Sequence, residues 1–194
     1  MPAGRPAFGF VPGKTTGSSV MACPPFDLRP PHADDILPYT AFLADPEVSR
    51  WLDDSAQRPI PASRVESLLL HEAWSLWSID CGGRFVGVTS FYEPDLSLST
   101  ARLSIVIGDR EIHGKGLATA VIGRVVGHGF RQLGLHKINS DILAPNTGAL
   151  TAHERNGFVR EGCLRDDCWR EGRWVDRVLL SLLRREYQAP DGGA

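Results

Sequence analysis

The chain has 194 residues, 42% of them apolar and 23% charged, with a formal net charge of −2 at pH 7. That size suits one globular domain able to bury a core without disulfides or metals, and the charge argues against a general nucleic-acid binder, which would be clearly basic. Cys23, Cys81, Cys163 and Cys168 form no C-x-x-C pair, and no histidine stands at zinc-finger distance from a pair; no metal is expected, and the thiols are expected to be reduced. No run approaches the ~18 apolar residues that cross a bilayer, and the N-terminus lacks the pattern of a secretory signal. The expectation is a cytoplasmic protein with neither nucleic acid nor membrane as partner.

Residues 1–25 are rich in Gly, Pro, Ser and Thr without apolar period and read as a flexible tail. An ordered domain is expected over 26–187, with a second short tail over 188–194. Phe26 to Arg29 alternates like a strand and stops at Pro30-Pro31. Asp34, Asp35, Ile36, Leu37, Tyr39, Phe42 and Leu43 fit an amphipathic helix that ends at Asp45-Pro46, because a residue before proline avoids the α region. A second helix is expected from Ala62 to Leu70. Ala73–Ile79, Arg84–Phe91 and Arg102–Ile107 then alternate, with Gly82-Gly83 as a hairpin turn, which predicts an antiparallel meander. In the third strand Leu103, Ile105 and Ile107 share one face, and Ser104 and Val106 the other.

The period then changes. Leu117, Val121, Ile122, Val125, Val126, Phe130 and Leu133 fall at helical spacing, and Gly134 is placed to end that helix. A strand over 136–143 follows, so that strand, helix and strand suggest a right-handed crossover between parallel strands. Thr147–Arg155 reads as a short helix stopped by Asn156-Gly157, and Phe158–Leu164 and Trp174–Leu183 as strands joined by a polar loop through Arg170-Glu171-Gly172.

The chemistry is concentrated where the third strand runs through Gly108-Asp109-Arg110-Glu111-Ile112-His113-Gly114-Lys115-Gly116 into the long helix. The first turn of a helix has unpaired N–H groups with a partial positive charge, and glycines let a phosphate approach them closely. A dinucleotide fingerprint would need glycine or alanine where Thr119 stands, and would follow the first strand of a fold. Gly13-Lys14-Thr15 mimics the end of a P-loop, but Phe8 occupies the place of its first glycine.

His113-Gly114-Lys115-Gly116-Leu117-Ala118 resembles the (Gln/Arg)-x-x-Gly-x-(Gly/Ala) signature of the GNAT acetyltransferases. Asp45-Pro46-Glu47-Val48, Leu135-His136-Lys137-Ile138, Asn146, Asn156-Gly157-Phe158 and Gly172-Arg173-Trp174-Val175-Asp176 are similar to landmarks of one branch, which includes enzymes acetylating ribosomal-protein N-termini and relatives acting on polyamines. The resemblance implies an α/β (α+β) GNAT fold: a mixed, mostly antiparallel sheet of six to seven strands, splayed at its middle and flanked by helices. It implies acetyl-CoA as co-substrate, a primary amine as acceptor, and a homodimer paired through the final strands. Ile105, Val106 and Ile107 would hold the pantetheine arm through their backbone. His113, Gly114, Lys115, Gly116, Leu117, Ala118 and Thr119 would hold the pyrophosphate, Asn146 the pantetheine region, and Arg155 a further phosphate; Arg155 reads equally as a solvated helix residue.

The attacking amine must be neutral, and roughly 100-fold more of a peptide α-amine than of a lysine-like amine is neutral near pH 7. The Val106 or Ile107 N–H would polarise the thioester carbonyl. His153 stands where many relatives place a tyrosine and is the expected acid for the leaving thiolate. Glu93, with Asp141, Glu47 and Asp109, is a candidate base. Trp51, Glu47 and Asp141 are expected on the acceptor side. A second reading is a CoA-binding sensor or interaction module that kept the fold and lost the chemistry.

Overall fold

Alternating apolar residues in the first half of the chain build the meander. A computed structural model describes residues 23–52, 58–72 and 75–188. Strand β1 (Asp27–Arg29) pairs with β2 (Ser75–Cys81), β2 with β3 (Arg84–Asp95) and β3 with β4 (Thr100–Ile107), all antiparallel. Gly82 and Gly83 turn β2 into β3 at φ 62° and 82°. The sheet has seven strands in the order β1-β2-β3-β4-β5-β7-β6.

Between β1 and β2 the chain forms α1 (Ile36–Ala44), α2 (Pro46–Ser49) and α3 (Ala62–Ser67), the last continued by a π turn over Leu68–Glu72. Tyr39, Leu43, Val48, Val65 and Leu69 from these elements pack with Val88 and Val106 on one face of the sheet. Helix α4 (Leu117–Arg131) covers the other face. It buries Leu117, Val121, Ile122, Val125, Val126 and Phe130, each worth about 1.5–3 kcal/mol relative to exposure. Gly134 takes φ 68° just past its end and turns the chain into β5 (Lys137–Leu143). Helix α5 (Thr147–Glu154) follows, then β6 (Val159–Arg170) and β7 (Arg173–Leu183), with β7 inserted between β5 and β6.

The pairing of β4 with β5 is parallel and covers three rungs, Thr100↔Lys137, Ala101↔Ile138 and Arg102↔Asn139. Both strands run on, β4 to Ile107 and β5 to Leu143, without further rungs. Meanwhile β5 is laddered along its whole length by β7. The sheet therefore opens at its middle, as the resemblance implies.

Several sequence expectations need correction. Asp34 and Asp35 lie in a 3₁₀ turn before α1, and Leu37 is exposed rather than inward. Asp35 is instead a buried tie: its carboxylate accepts from Arg29 (2.7 and 2.8 Å), the His32 N–H (2.9 Å) and Ser78 Oγ (2.7 Å). Proline at the first position of α2 both ends one helix and starts the next. Strand β6 runs six residues beyond Leu164, because a bulge between Leu164 and Cys168, with Asp166 at φ 52°, absorbs the polar stretch. The loop after it shrinks to Glu171-Gly172, both at positive φ, as a two-residue hairpin turn requires. The expected tail over 1–22, Ala73 and Trp74 of the second strand, and 189–194 lie outside the described residues.

Gly87 of β3 sits where a side-chain carbon would meet the carbonyl oxygen of Val106 and the Ile107 backbone. These atoms belong to the neighbouring strand and move only by breaking the ladder. Gly87→Ala is expected to cost about 1–3 kcal/mol, read as a melting temperature lower by several degrees.

Candidate active site

Beyond β4 the chain passes Gly108 and a 3₁₀ turn over Arg110–Ile112, then reaches Gly114-Lys115-Gly116. Gly114 and Gly116 take φ 73° and 78°, a left-handed conformation that favours glycine. Gly116 is the N-cap of α4 and offers no side chain to its amides. The first N–H to bond back is that of Ala120, to Gly116 O (3.1 Å), so those of Leu117, Ala118 and Thr119 are left for an outside acceptor. The space in front of both glycines is open, with no atom within 4 Å of where a side chain would start. This arrangement fits a diphosphate.

A cavity of about 460 Å³ leads from these amides between the parted strands. Ile105, Val106 and Ile107 line it from β4; Asn146, His153 and Arg155 line it from the α5 side. His113, Gly114, Gly116, Leu117, Ala118 and Thr119 line it from the loop and α4. Glu47 and Trp51 reach it from α2 and the turn after it. Lys115, grouped with these by the sequence signature, is absent from the cavity wall.

Which backbone groups face the slot follows from alternation along β4. The Leu103 carbonyl lies 3.4 Å from Ser140 Oγ on β5, and the Ile107 carbonyl lies 2.7 Å from His113 Nε2. Ser104, Val106 and Gly108 point the other way. Thr89 Oγ1 donates to Ser104 O (2.9 Å), the Gly108 N–H donates to Val86 O (2.9 Å), and the Val106 carbonyl abuts Gly87. The Val106 amide therefore belongs to the β3 ladder, not to the slot. Ile105 is left with its N–H and C=O toward β5 and no rung to meet them. His113 acts through its ring, tying the loop to the end of β4.

His153 is 2% exposed at the base of α5. Its Nδ1 lies 2.9 Å from Ala149 O and its Nε2 3.1 Å from Ser140 Oγ, with the Phe158 ring edge-on at 5.0 Å. A carbonyl can only accept, so Nδ1 carries the proton and Nε2 accepts from the Ser140 hydroxyl. Burial pulls the His153 pKa down, the Ala149 bond pulls it partly back, and the net shift is downward. The imidazole is thus neutral near pH 7, and the expected acid begins without the proton it was to give. Ser140, easily passed over in the sequence, is the first β5 residue beyond the last rung, and its single hydroxyl proton has two acceptors in reach, His153 Nε2 and Leu103 O.

Of the expected carboxylates Glu47 lines the cavity, while Glu93, Asp141 and Asp109 lie outside it. Glu93, at φ 47°, is two-thirds exposed and pairs with Arg102 Nε at 2.9 Å, outside the cavity. Asp141 is held by Arg102 (2.7 Å) and by Arg177, also outside the cavity. Asp109 caps the 3₁₀ turn and pairs with Arg84 at 2.7 Å. Asn146 caps α5 through Ala149 N–H (3.2 Å), and Arg155 stands exposed at the rim. Asn156, read as a helix stop, has a further role: its Nδ2 donates to Thr119 O (3.0 Å) and Ala152 O (2.8 Å), bracing α5 against the first turn of α4.

A histidine that is neutral when folded and has a pKa near 6.5 when unfolded binds more protons in the unfolded state. Its stability contribution is complete above about pH 6.5 and is lost as the pH falls from there through the lower folded value. His153→Gln should therefore lose less melting temperature than the parent between pH 6.5 and 5, measured by thermal denaturation across that range.

The family described as the acetyltransferase (GNAT) domain matches residues 26–159. The uncharacterized N-acetyltransferase p20 of Bacillus licheniformis is 27% identical over 82% of this chain and 93% of its own length. Among solved structures, a Vibrio cholerae spermidine N-acetyltransferase in complex with CoA and spermine superposes with a TM-score of 0.75 at 23% identity, over 84% of this chain and 97% of that one. The ribosomal L7/L12 α-N-protein acetyltransferase RimL, in complex with coenzyme A, gives 0.71 at 17%, over 81% and 93%. A glycine-opened helix terminus beside a parted pair of strands, in a chain matched over these residues, places this protein in the GNAT acetyltransferase family.

Proposed function

We propose that the protein transfers the acetyl group of acetyl-CoA to a primary amine, a peptide α-amine or a small-molecule amine, by direct attack with both substrates bound. The observation that carries this reading is the continuity of the opening between β4 and β5 with the free amides of Leu117, Ala118 and Thr119. Those amides and the positive end of α4 would hold the diphosphate. The backbone of Ile105 would take the place of a missing strand for the pantetheine arm, and Asn146 and Arg155 would flank it. The amine would enter from the side of Glu47 and Trp51.

Acetyl transfer forms a C–N bond and breaks a C–S bond; the nitrogen sheds a proton and the sulfur gains one. Holding amine and thioester together can supply about 7–11 kcal/mol of the barrier, and the Ile105 or Ile107 N–H would stabilise the carbonyl oxygen. Neutral His153 would carry the proton, with Nε2 taking it from nitrogen and returning it to sulfur. The Ser140 hydroxyl has a second acceptor in Leu103 O, so it can turn away and free Nε2. No carboxylate is assigned as base, which suits an α-amine, already about 10% neutral at pH 7.

Acetyl-CoA should raise the melting temperature by mass action, and Gly116→Val should abolish that rise by straining the φ 78° position and filling the open space before it. An undiminished rise would count against the diphosphate site. In a thiol-release assay over a panel of amines, His153→Phe should cut turnover about 100-fold or more while keeping the acetyl-CoA shift. Cofactor binding without thiol release from any amine would favour the reading as a CoA-binding module.

A further inference from the structure

Beside the slot lies a second cavity of about 260 Å³, and Trp51 is the wall they share. Leu143, Pro145 and Val175 give it apolar sides; among the described residues Arg50, Arg170 and Arg173 bring guanidiniums to it and Glu171 a carboxylate. The three arginines differ in their engagements. Arg170 is buried and donates to the carbonyls of Arg50 (3.2 Å), Leu52 (2.7 Å) and Trp169 (2.8 Å), so it fastens the turn after α2 to the β6–β7 hairpin. Arg50 stacks on the Trp51 ring at 4.4 Å and reaches Glu47 and Glu171 through Nη1 alone, at 3.5 and 3.3 Å on the exposed side. Its Nε is buried and has no hydrogen-bond partner among the described residues. Arg173 is exposed on the cavity and makes no ion pair or side-chain hydrogen bond among the described residues.

A buried cationic N–H without an acceptor calls for one, and an oxyanion is the partner that guanidiniums bind best. The long, solvent-facing contacts of Arg50 with two glutamates are weak and easily exchanged. We propose that this cavity receives an anionic group of the acceptor, so that the acceptor is a small primary amine that also carries an oxyanion, carboxylate or phosphate. The inference rests on the acetyl-transfer reading of the adjoining slot and narrows its substrate class. The oxyanion lies against Arg173 and the open edge of the Arg50 guanidinium, the hydrocarbon between anion and amine packs on Leu143, Val175 and Trp51, and the amine passes Trp51 into the slot. A polyamine would bring further positive charge to Arg50 and Arg173 and leave the Arg50 Nε unsatisfied.

The test uses the full chain and matched amines: leucine against leucinamide, phosphoethanolamine against ethanolamine, and spermidine. The free carboxylate of leucine raises the pKa of its amine, so intrinsic reactivity favours the amide and a preference for leucine reports recognition. The anionic member of at least one pair is expected to exceed its neutral partner and spermidine by ~10-fold or more in kcat/KM. Preference confined to the phosphate pair assigns the oxyanion as phosphate, and confined to the leucine pair, as carboxylate. Arg173→Gln should bring the preferred pair's ratio near one through a higher KM for the anionic member. Equal or better use of the neutral amines or spermidine overturns the proposal, as does a ratio unchanged in both Arg173→Gln and Arg50→Gln. Should acetyl-CoA raise the melting temperature while no amine releases thiol, the transferase reading fails. The cavity is then judged by thermal shift in the presence of CoA: stabilisation by leucine or phosphoethanolamine beyond their neutral partners upholds it, and none refutes it.

Discussion

The structure depends on the parting of β4 from β5 after three rungs. A strand inside a sheet that loses its neighbour exposes N–H and C=O groups that must find partners elsewhere. Here each parted strand keeps one unbroken ladder, β4 with β3 and β5 with β7, so the opening costs only the inner rows. Two of the exposed carbonyls have a side-chain donor in reach at opposite ends of the gap: Ser140, which Leu103 O shares with His153, at the closed end and His113, at Ile107 O, at the open end. Ile105 between them keeps its groups for a ligand. The unmatched backbone that would be a defect in an ordinary sheet thus faces the slot beyond the third rung, where a pantetheine amide can replace the missing strand beside Ile105.

The loop that would hold the diphosphate is fixed by contacts on both sides. His113 ties it to β4, and Asn156 ties the first turn of α4 to α5 through Thr119 O and Ala152 O. Gly123 allows this, since a side chain there would meet Asn156 Oδ1 at 2.8 Å. The amides of α4 are therefore held in position before anything binds, which limits the ordering cost of binding. The same brace positions His153, three residues before Asn156, against Ser140. Cofactor end and proton-handling end are joined by one short helix.

Much of this was legible in the residues. Strong periodicity marked the meander and α4, and glycines at forced positive φ marked the loop and turns. The signature around Gly114 and Gly116 marked the open, glycine-lined start of α4. What escaped was of two kinds. Short elements such as α2 and the continuation of β6 through Asp166 have no period long enough to read, and a bulge disguises the second. Roles that arise only from contacts across the fold were also hidden: nothing in the sequence shows that Val106 turns its backbone to β3, that Asp141 is clamped by Arg102 and Arg177, or that Ser140 faces His153. Of the candidate bases chosen by residue type, Glu93, Asp141 and Asp109 are engaged by arginines outside the cavity for that reason and Glu47 lines it, while the loop's amides, being consecutive in the chain, could be read directly.

The distribution of carboxylates bears on what kind of amine the site can use. On the sheet face shared with α1–α3, Glu93 and Asp141 are paired with Arg102, Asp141 and Asp167 with Arg177, and Glu161 with Lys137. Burial works against the charge on Arg177, yet its bonds to Asp167 and Asp141 drive its pKa up, so these anions are firmly neutralised. A site meant to attract a polycation would keep such carboxylates open toward the acceptor. Here Glu47 and Glu171, which do face it, are each shared with Arg50, and Arg173 stands beside them. Among the described residues no unpaired carboxylate faces the acceptor, and the arrangement favours an acceptor whose own anion meets the arginines. On the proposed reading, charge balance in the acceptor cavity then has one cause: the substrate would supply the negative charge that the described residues do not.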